Sequence, residues 1–500
     1  MNPNTCKFFA TFFIAVFLSL NCFAILTFEK KIEAGNYSVC QRILCLSDSG
    51  YLVTGFSEST VQSSIACRLN SAGDTLWLKK FGTNDFSLEA VEMNGSGYLI
   101  VGATQNNAGD QSSGVWKVDV NGNLQWAKII TPDTSGYSIF TSIKKIGNNY
   151  LIGGFADFGN IVGSGGEANT LVMIDSSGTV LWSNMYWVDS EYYSILSMIL
   201  TSDNNILVTG NAEANYAMKF DMSGNLLWAK IYSEGVFSSL EEINNSYYFF
   251  GFNTSSECFI TRTNSNGDVD WAKSYINLEE PYQICQNYSG GLSLVTSMYA
   301  MTNYQASVLE IDTFGMPTKL TSFPSASDDL GTDLNQTLDG GYILSVEKVG
   351  SISDAIGIIK ADSAMHTGCE INNILPLTSN LSIQGVDFYP QVINTFHSLT
   401  IQLAEESGGI ITSICNGSGT IETNNSIWNL YPTISSGKFH ISSNVIGVLC
   451  IFNSLGVKIK ELKFDREVDI DLSGNSPGIY FYKVFLDHKE YSESGKFIIQ

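Results

Sequence analysis

The stretch from Glu89 to Ile130, EAVEMNGSGYLIVGATQNNAGDQSSGVWKVDVNGNLQWAKII, constrains the fold more than any other, because its pattern recurs along most of the 500 residues. It contains four short apolar segments, EAVEM, GYLIVG, GVWKVDV and LQWAKII, each bounded by Gly, Asn, Asp or Ser. Strands joined by tight turns have this look, and nothing in the stretch reads as a helix. A four-stranded antiparallel meander of this size cannot bury both faces alone, so copies must pack face to face.

Seven copies are visible. The second strand opens at Gly50-Tyr51, Gly97-Tyr98, Asn149-Tyr150, Asn205-Ile206, Ser246-Tyr247, Gly291-Leu292 and Gly341-Tyr342. The first five end in Gly55, Gly102, Gly154, Gly210 and Gly251, whereas the sixth and seventh have drifted to Thr296 and Val346. The fourth strand carries Trp77, Trp126, Trp182, Trp228 and Trp271, with Lys319 at the matching place in the sixth unit. Between third and fourth strands stands an Asx-x-x-Gly turn: Asn70 to Gly73, Asp119 to Gly122, Asp175 to Gly178, Asp221 to Gly224, Asn264 to Gly267 and Asp312 to Gly315. Asx accepts a local backbone N–H there and Gly takes positive φ. DVNGN at Asp119 to Asn123 resembles a fragment of a calcium loop but lacks the further ligands and the bidentate Glu that such a loop needs. The seventh unit keeps Asp362, has Met365 in the Gly position and offers no fourth strand before SAMHTGCE. Leu26 to Ile32 resembles Leu76 to Phe81, with Phe28 one repeat ahead of Trp77, so the N-terminal strand should complete the last unit. Stacking around a circle with both chain ends in one blade predicts an all-β, seven-bladed β-propeller over residues 25–369. Six and eight blades are the alternatives, since 370–425 could hold another piece.

Acidic residues outnumber basic ones by 49 to 26, which argues against a nucleic-acid partner because phosphate binding needs a cationic footprint. Lys7, the apolar run Phe8 to Leu20 and Cys22-Phe23-Ala24 read as a signal peptide over residues 1–24, cleaved after Ala24. Asn21 is too bulky and polar for the alternative lipoprotein reading at Cys22. No later apolar run approaches the length of a membrane span, so no transmembrane segment is expected in the mature chain. Eight cysteines then remain. Cys369 and Cys415 bracket 370–425 and could close it as a loop, and most of the others read as small buried hydrophobes in strands.

The order D-x-x-G-x-x-x-W-x-K, preceded by G-Y-hydrophobic-x-G, resembles the repeats of quinoprotein-type and related bacterial propellers over roughly residues 26–369. The likeness implies architecture, with the tryptophans docking blade on blade. Residues 370–425 read as a β-type spacer with β-like runs at Leu381 to Tyr389 and Ser398 to Leu403. From 426 to 500 the alternation suits a small Ig-like β-sandwich. Tyr431-Pro432, Gly437-Lys438-Phe439, Asn453 to Gly456, Leu472, Pro477-Gly478-Ile479-Tyr480 and Lys496 to Ile499 stand in the order of a known pattern. This tail resembles the type A C-terminal sorting domain of type IX secretion cargo from Bacteroidetes. The departures are Thr433-Ile434 in place of Asn-Pro and Asn453 in place of Asp. The resemblance implies the type IX secretion machinery as partner, with Tyr431, Pro432, Gly437, Gly456, Pro477, Gly478, Tyr480 and Lys496 as its motif, and a final place in the medium or on the outer cell surface.

Little in the sequence speaks for chemistry. All four histidines, His366, His397, His440 and His488, lie after the regular repeats, so no His triad or His metal site forms in the repeat body. No cofactor, metal site or catalytic residue is expected. The carboxylate pairs Asp189 with Glu191, Glu241 with Glu242, and Glu279 with Glu280 keep a glycoside hydrolase or lyase open as the alternative. Loop aromatics Tyr137, Phe155, Phe158, Tyr192, Tyr193, Tyr282 and Tyr299 suit a face for a glycan or protein ligand. A binding or adhesion module is the expectation, with function where the copies disagree: the loop between Asp157 and Asn169 and the drifted sixth and seventh units.

Overall fold

Within the second repeat, Phe86–Met93, Gly97–Gln105, Gln111–Val118 and Leu124–Pro132 pair antiparallel in chain order. Short apolar runs and the Asx-Gly turns dictate this meander, with the second and third strands buried along nearly their whole length. Asp119 Oδ1 accepts the backbone N–H of Asn121 and of Asn123 at 2.9 Å each, and Gly122 closes the turn at φ 82°. The computed structural model describes residues 26–499 apart from 106–108, 133–136, 158–165, 188–192, 212–214, 234, 301, 351–352, 369, 394–395, 416–427, 432–433, 436, 454–457 and 487–491. The signal peptide, Phe158, Asp189, Glu191, Tyr192, Cys369 and His488 therefore lie outside the described residues, as does most of the loop from Asp157 to Asn169.

Among the described residues there are seven five-stranded sheets, one six-stranded sheet and no helix. The seven are consistent with propeller blades and are numbered by their first strands: Tyr37–Cys45, Phe86–Met93, Ser138–Ile146, Ser194–Leu200, Val236–Ile243, Glu279–Gln286 and Asp329–Gln336. Each first strand packs against the next, and Asp329–Gln336 packs back on Tyr37–Cys45. In six sheets one extra residue bulges this strand: Gln41, Leu88, Thr141, Leu196, Ser238 and Thr332. In sheet 6 the irregularity widens to the residues between Glu279 and Gln283.

Sheet 7 has no fourth strand of its own after Ala355–Ala361. Phe28–Glu33 fills the place, pairing from Phe28 with Lys360 to Ile32 with Ile356. Phe28 and Ile32 are buried among Tyr51, Ile343, Ile356 and Ile358.

The segment read as a spacer supplies the fifth strand of every sheet. Ile371–Asn372 pairs with the fourth strand of sheet 6, Thr378–Asn380 with that of sheet 5, Gly385–Asp387 with sheet 4 and Gln391–Ile393 with sheet 3. Phe396–Ile401, Glu405–Ser407 and Ile410–Cys415 follow on sheets 2, 1 and 7. This belt runs against the order of the repeats and covers seven edges whose unpaired backbone groups would otherwise invite another chain. Ion pairs tie it down, among them Lys79 to Glu405 and Lys230 to Asp387 at 2.5 and 2.7 Å.

The six-stranded sheet is built from Trp428–Tyr431, Ile434–Ser435, Lys438–Phe452, Lys458–Asp471, Gly478–Leu486 and Ser492–Ile499. Its core is Phe439, Leu449, Ile451, Ile470, Leu472, Tyr480 and Ile499.

Candidate functional site

The recurring residues are consumed by packing. A Cβ placed on Gly122 would stand 2.7 Å from the Trp77 ring of the preceding sheet, and Gly178, Gly224, Gly267 and Gly315 face Trp126, Trp182, Trp228 and Trp271 at 2.6–3.0 Å. Glycine is thus required twice at each turn, for positive φ and for admitting an indole. The drifted units support this account: Lys319 replaces Trp and reaches the Ala364 carbonyl, and the turn it meets tolerates Met365 at φ 60°. The Tyr of the second strand is also engaged. Arg68 Nε donates to Tyr98 Oη at 3.0 Å while pairing with Asp48, and Lys219 donates to Tyr247 Oη at 2.7 Å while pairing with Asp203.

Side chains on the first strands join neighbouring sheets near the bulges. Glu89 accepts from Ile143 N at 2.8 Å and Lys144 Nζ at 2.6 Å. Asp333 accepts from Ile43 N at 2.7 Å, so sheet 7 grips sheet 1 as sheet 2 grips sheet 3. Ser239 Oγ takes Ile284 N in the same way at 3.4 Å. These acceptors satisfy backbone donors on strands that have no partner on that side. Nothing in the sequence marked Glu89 or Asp333, whose roles depend on a residue of the next sheet in one case and of sheet 1 in the other.

Of the carboxylate pairs, Glu242 is structural: it accepts from Ser202 N and Oγ at 2.7 and 2.6 Å. Burial pushes the Glu241 carboxyl up to about 7, against the opposing pull of Glu242 N–H and Lys144. A carboxyl raised on folding stabilises below its unfolded value near 4.5 and loses that contribution as pH rises through 7. Glu241→Gln should therefore raise stability by about 2 kcal/mol at pH 8 and change it little at pH 4.5. Urea melts at the two pH values check this, and an equal effect at both would refute it.

The sheets have one plain end, with tight turns, and one end that carries the connections between sheets and the loops between second and third strands. On the loop end of sheet 6 the aromatic and acidic residues converge. A cleft of about 500 Å³ is lined by Asn277, Glu279, Met298, Tyr299 and Tyr304. Tyr304 Oη donates to Glu279 Oε2 at 3.0 Å, and its ring meets that of Tyr299 edge to face at 5.2 Å. Tyr299 is 58% exposed. Asn277 and Glu280 hold positive φ of 66° and 52°, unusual for non-Gly residues, and Glu280 precedes a proline. Nearby, Tyr37 Oη donates to Glu347 at 3.3 Å, and burial with the Asp354 and Glu280 charges holds the Glu347 carboxyl above its ordinary range. The other aromatics do not join this cleft: Tyr137 packs on Phe155 at 5.9 Å, Tyr193 is buried and Tyr282 is packed against the sheet 6 and 7 core.

In the C-terminal sheet the motif residues shape turns. Gly437 takes φ 97° where a Cβ would meet Ser473 at 2.6 Å, and its carbonyl accepts Leu472 N at 2.7 Å. Tyr480 is buried with Oη donating to Ser476 O at 2.7 Å, while Pro477 and Gly478 are exposed beside it. Tyr431 and Lys496 lie in strands, opposite His440 and Phe481, and Pro432 and Gly456 fall outside the described residues. Residues 429–500 match the secretion system C-terminal sorting domain. A chain with this sorting domain is exported to the cell surface or secreted. No curated protein matches the chain. Solved structures similar to it include a protein of unknown function from Bacteroides caccae, 12% identical over 55% of this chain and 93% of that one, with a TM-score of 0.34. A GH43 endo-arabinanase from Bacillus licheniformis is 13% identical over 55% and 94%, TM-score 0.29. The extracellular domain of a putative one component system from B. thetaiotaomicron is 8% identical over 95% and 99%, TM-score 0.18. At these scores the likenesses carry no inference about this chain.

The described cysteines Cys40, Cys45, Cys67, Cys258, Cys285 and Cys450 are free, and burial pushes the Cys40 and Cys45 thiols up to about 12, as suits small apolar core residues. The pairing of Cys369 with Cys415 lies outside the described residues.

Proposed function

We propose that the protein is a seven-bladed β-propeller, exported by way of a signal peptide over residues 1–24, handled by the type IX secretion machinery of a Bacteroidetes cell, and acting as a binding module at the surface or in the medium. The sorting domain, read as a small sandwich closing on Phe439 and Tyr480, is the delivery part, with Tyr431, Gly437, Pro477, Gly478, Tyr480 and Lys496 as its recognition and turn residues. The propeller is the working part. One observation carries the binding reading: recurring Trp, Tyr, Asx and Gly are engaged in holding sheet to sheet, whereas an exposed tyrosine and a carboxylate meet in a cleft at the loop end of the drifted sixth unit.

The alternative remains a carbohydrate-active enzyme using paired carboxylates. One pair is divided between different tasks, since Glu242 accepts from Ser202 while the half-buried Glu241 accepts from Glu242 N at 3.3 Å. Glu279 with Glu280 is the pair that such an enzyme would use. The mature protein should retain ligands on glycan or protein arrays and release no reducing ends from polysaccharides. Turnover without stable binding would overturn the proposal in favour of the enzyme.

A further inference from the structure

We infer that the cleft on the loop end of sheet 6 is a site for an ammonium group, the head of an amine or quaternary ammonium ligand. This deepens the binding reading above and rests on it. The cleft has two walls of different chemistry. The first is aromatic: the Tyr299 and Tyr304 rings stand at 67° with centroids 5.2 Å apart, which makes a corner rather than a stack, and Tyr299 is more than half exposed. A corner of two rings presents negative π-density to a cation on more than one side, and each such contact contributes about 0.5–2 kcal/mol as water is excluded. Met298 also borders the cleft, with its side chain packed against the core of sheets 5 and 6.

The second wall is anionic. Glu279 holds the Tyr304 hydroxyl on one oxygen, and among the described residues no Lys or Arg pairs with it. Its neighbours add charge of the same sign: Glu280 follows it, and Asp328 takes Tyr304 N at 2.7 Å. Lys348, paired across the sheet with the residue next to Asp328, is committed to Asp329 and Glu29 at 2.5 and 3.1 Å. An anionic ligand would be repelled here. A neutral sugar would gain stacking and one or two hydrogen bonds from Glu279 and Asn277 but nothing from the field. An ammonium gains from ring faces, carboxylate and field together.

The backbone is arranged to keep Glu279 in place. Positive φ at Asn277 and at Glu280 brackets it, each at a cost of order 1–3 kcal/mol, and the widened irregularity turns the segment from Glu279 to Gln283 out of the register that the other six sheets keep. The Tyr304 hydroxyl then fixes the carboxylate against the ring corner.

The test is calorimetric titration of the full-length mature protein with tetramethylammonium, with spermidine and, as the neutral probe, with a maltooligosaccharide. Saturable binding of either cation that weakens as salt is raised is expected. Tyr299→Ala and Glu279→Gln should each weaken it about 5- to 30-fold, and Tyr304→Phe, which keeps the ring and frees the carboxylate, about 2- to 3-fold. Because Tyr299 is largely exposed, its variant should melt with the parent, which separates lost binding from lost fold. Cation binding unchanged by Tyr299→Ala and Glu279→Gln overturns the site, and so does binding of the oligosaccharide alone. If the arrays show ligands that Tyr299→Ala still retains, the binding module stands while this cleft falls.

Discussion

A chain that stops at residue 428 is expected to be exported through the inner membrane and then to stay in the periplasm, with surface and medium fractions emptied of it. The matched family model ends with the chain and begins one residue after this cut, so the truncation removes the sorting domain and leaves the belt whole to Cys415. The belt is what seals the seven sheets, and its last strand pairs with Phe28–Glu33 rather than with anything beyond 428. The truncated protein should therefore fold and lose only its address. Cell fractionation with immunoblotting reads the outcome, and a protease-resistant periplasmic species is the expected form. Gly437→Ala gives a milder version of the same result, because it sets a Cβ 2.6 Å from Ser473 at a φ of 97° and so distorts the turn on which Leu472 and the sheet core rest. Undiminished surface delivery of the truncated chain would refute the assignment of the tail as the sorting signal.

The second large effect concerns the N-terminal strand. Ile32→Ala should destabilise the repeat body by about 2–5 kcal/mol and Phe28→Ala by about 3–5 kcal/mol, each a sizeable part of the 5–15 kcal/mol that holds most domains. Ile32 is fully buried and Phe28 nearly so, and the Phe28 ring is the group that Gly73 admits in place of an indole. The same strand carries Glu29, whose carboxylate completes the ion pairs of Lys348, and it is hydrogen-bonded on both sides, to Ala355–Ala361 and to Ile410–Cys415. Losing it would uncover two edges at once and open the cycle of packing between sheets 7 and 1. Equivalent truncations of exposed apolar residues on the outer strands, such as Leu227→Ala, should change stability by less than about 0.5 kcal/mol. Urea unfolding followed by tryptophan fluorescence separates the two cases. Equal, small effects at Ile32 and Leu227 would show that the N-terminal strand does not close the structure.

Much of the architecture could be read without coordinates because it is repeated. Seven copies of one pattern, with Trp in five and Asx-x-x-Gly in six of them, mark strands and turns by local rules, and local rules act within a few residues of the chain. The completion of sheet 7 by Phe28–Glu33 was legible for the same reason: a fourth-strand pattern stood at one end of the chain and was missing at the other. The candidate cleft was legible only in outline. Drift in the sixth unit pointed to the part of the chain that holds this cleft, and Tyr299 and Glu279 stood among the residues singled out, but Tyr304 did not, because an edge-to-face ring contact leaves no mark on spacing. Several of the other loop aromatics went into packing instead, as Tyr193 shows.

The sequence by itself determined the all-β character, the repeated meander, the turns and the sorting tail. Each of these is written in residues close together or in an ordered motif. Only the tertiary structure decided the belt, the carboxylate links between first strands and the cleft. Strands of two or three residues such as Ile371–Asn372 and Gly385–Asp387 have no period to read, and they are extended because an exposed edge of finished sheet offers them partners. Glu89 and Asp333 look like any surface carboxylate until the bulge beside them brings an unpaired N–H of the next sheet within 2.8 Å. The physical difference is range: turns and strands are chosen by neighbours along the chain, and these other features by groups that meet only after the sheets have stacked.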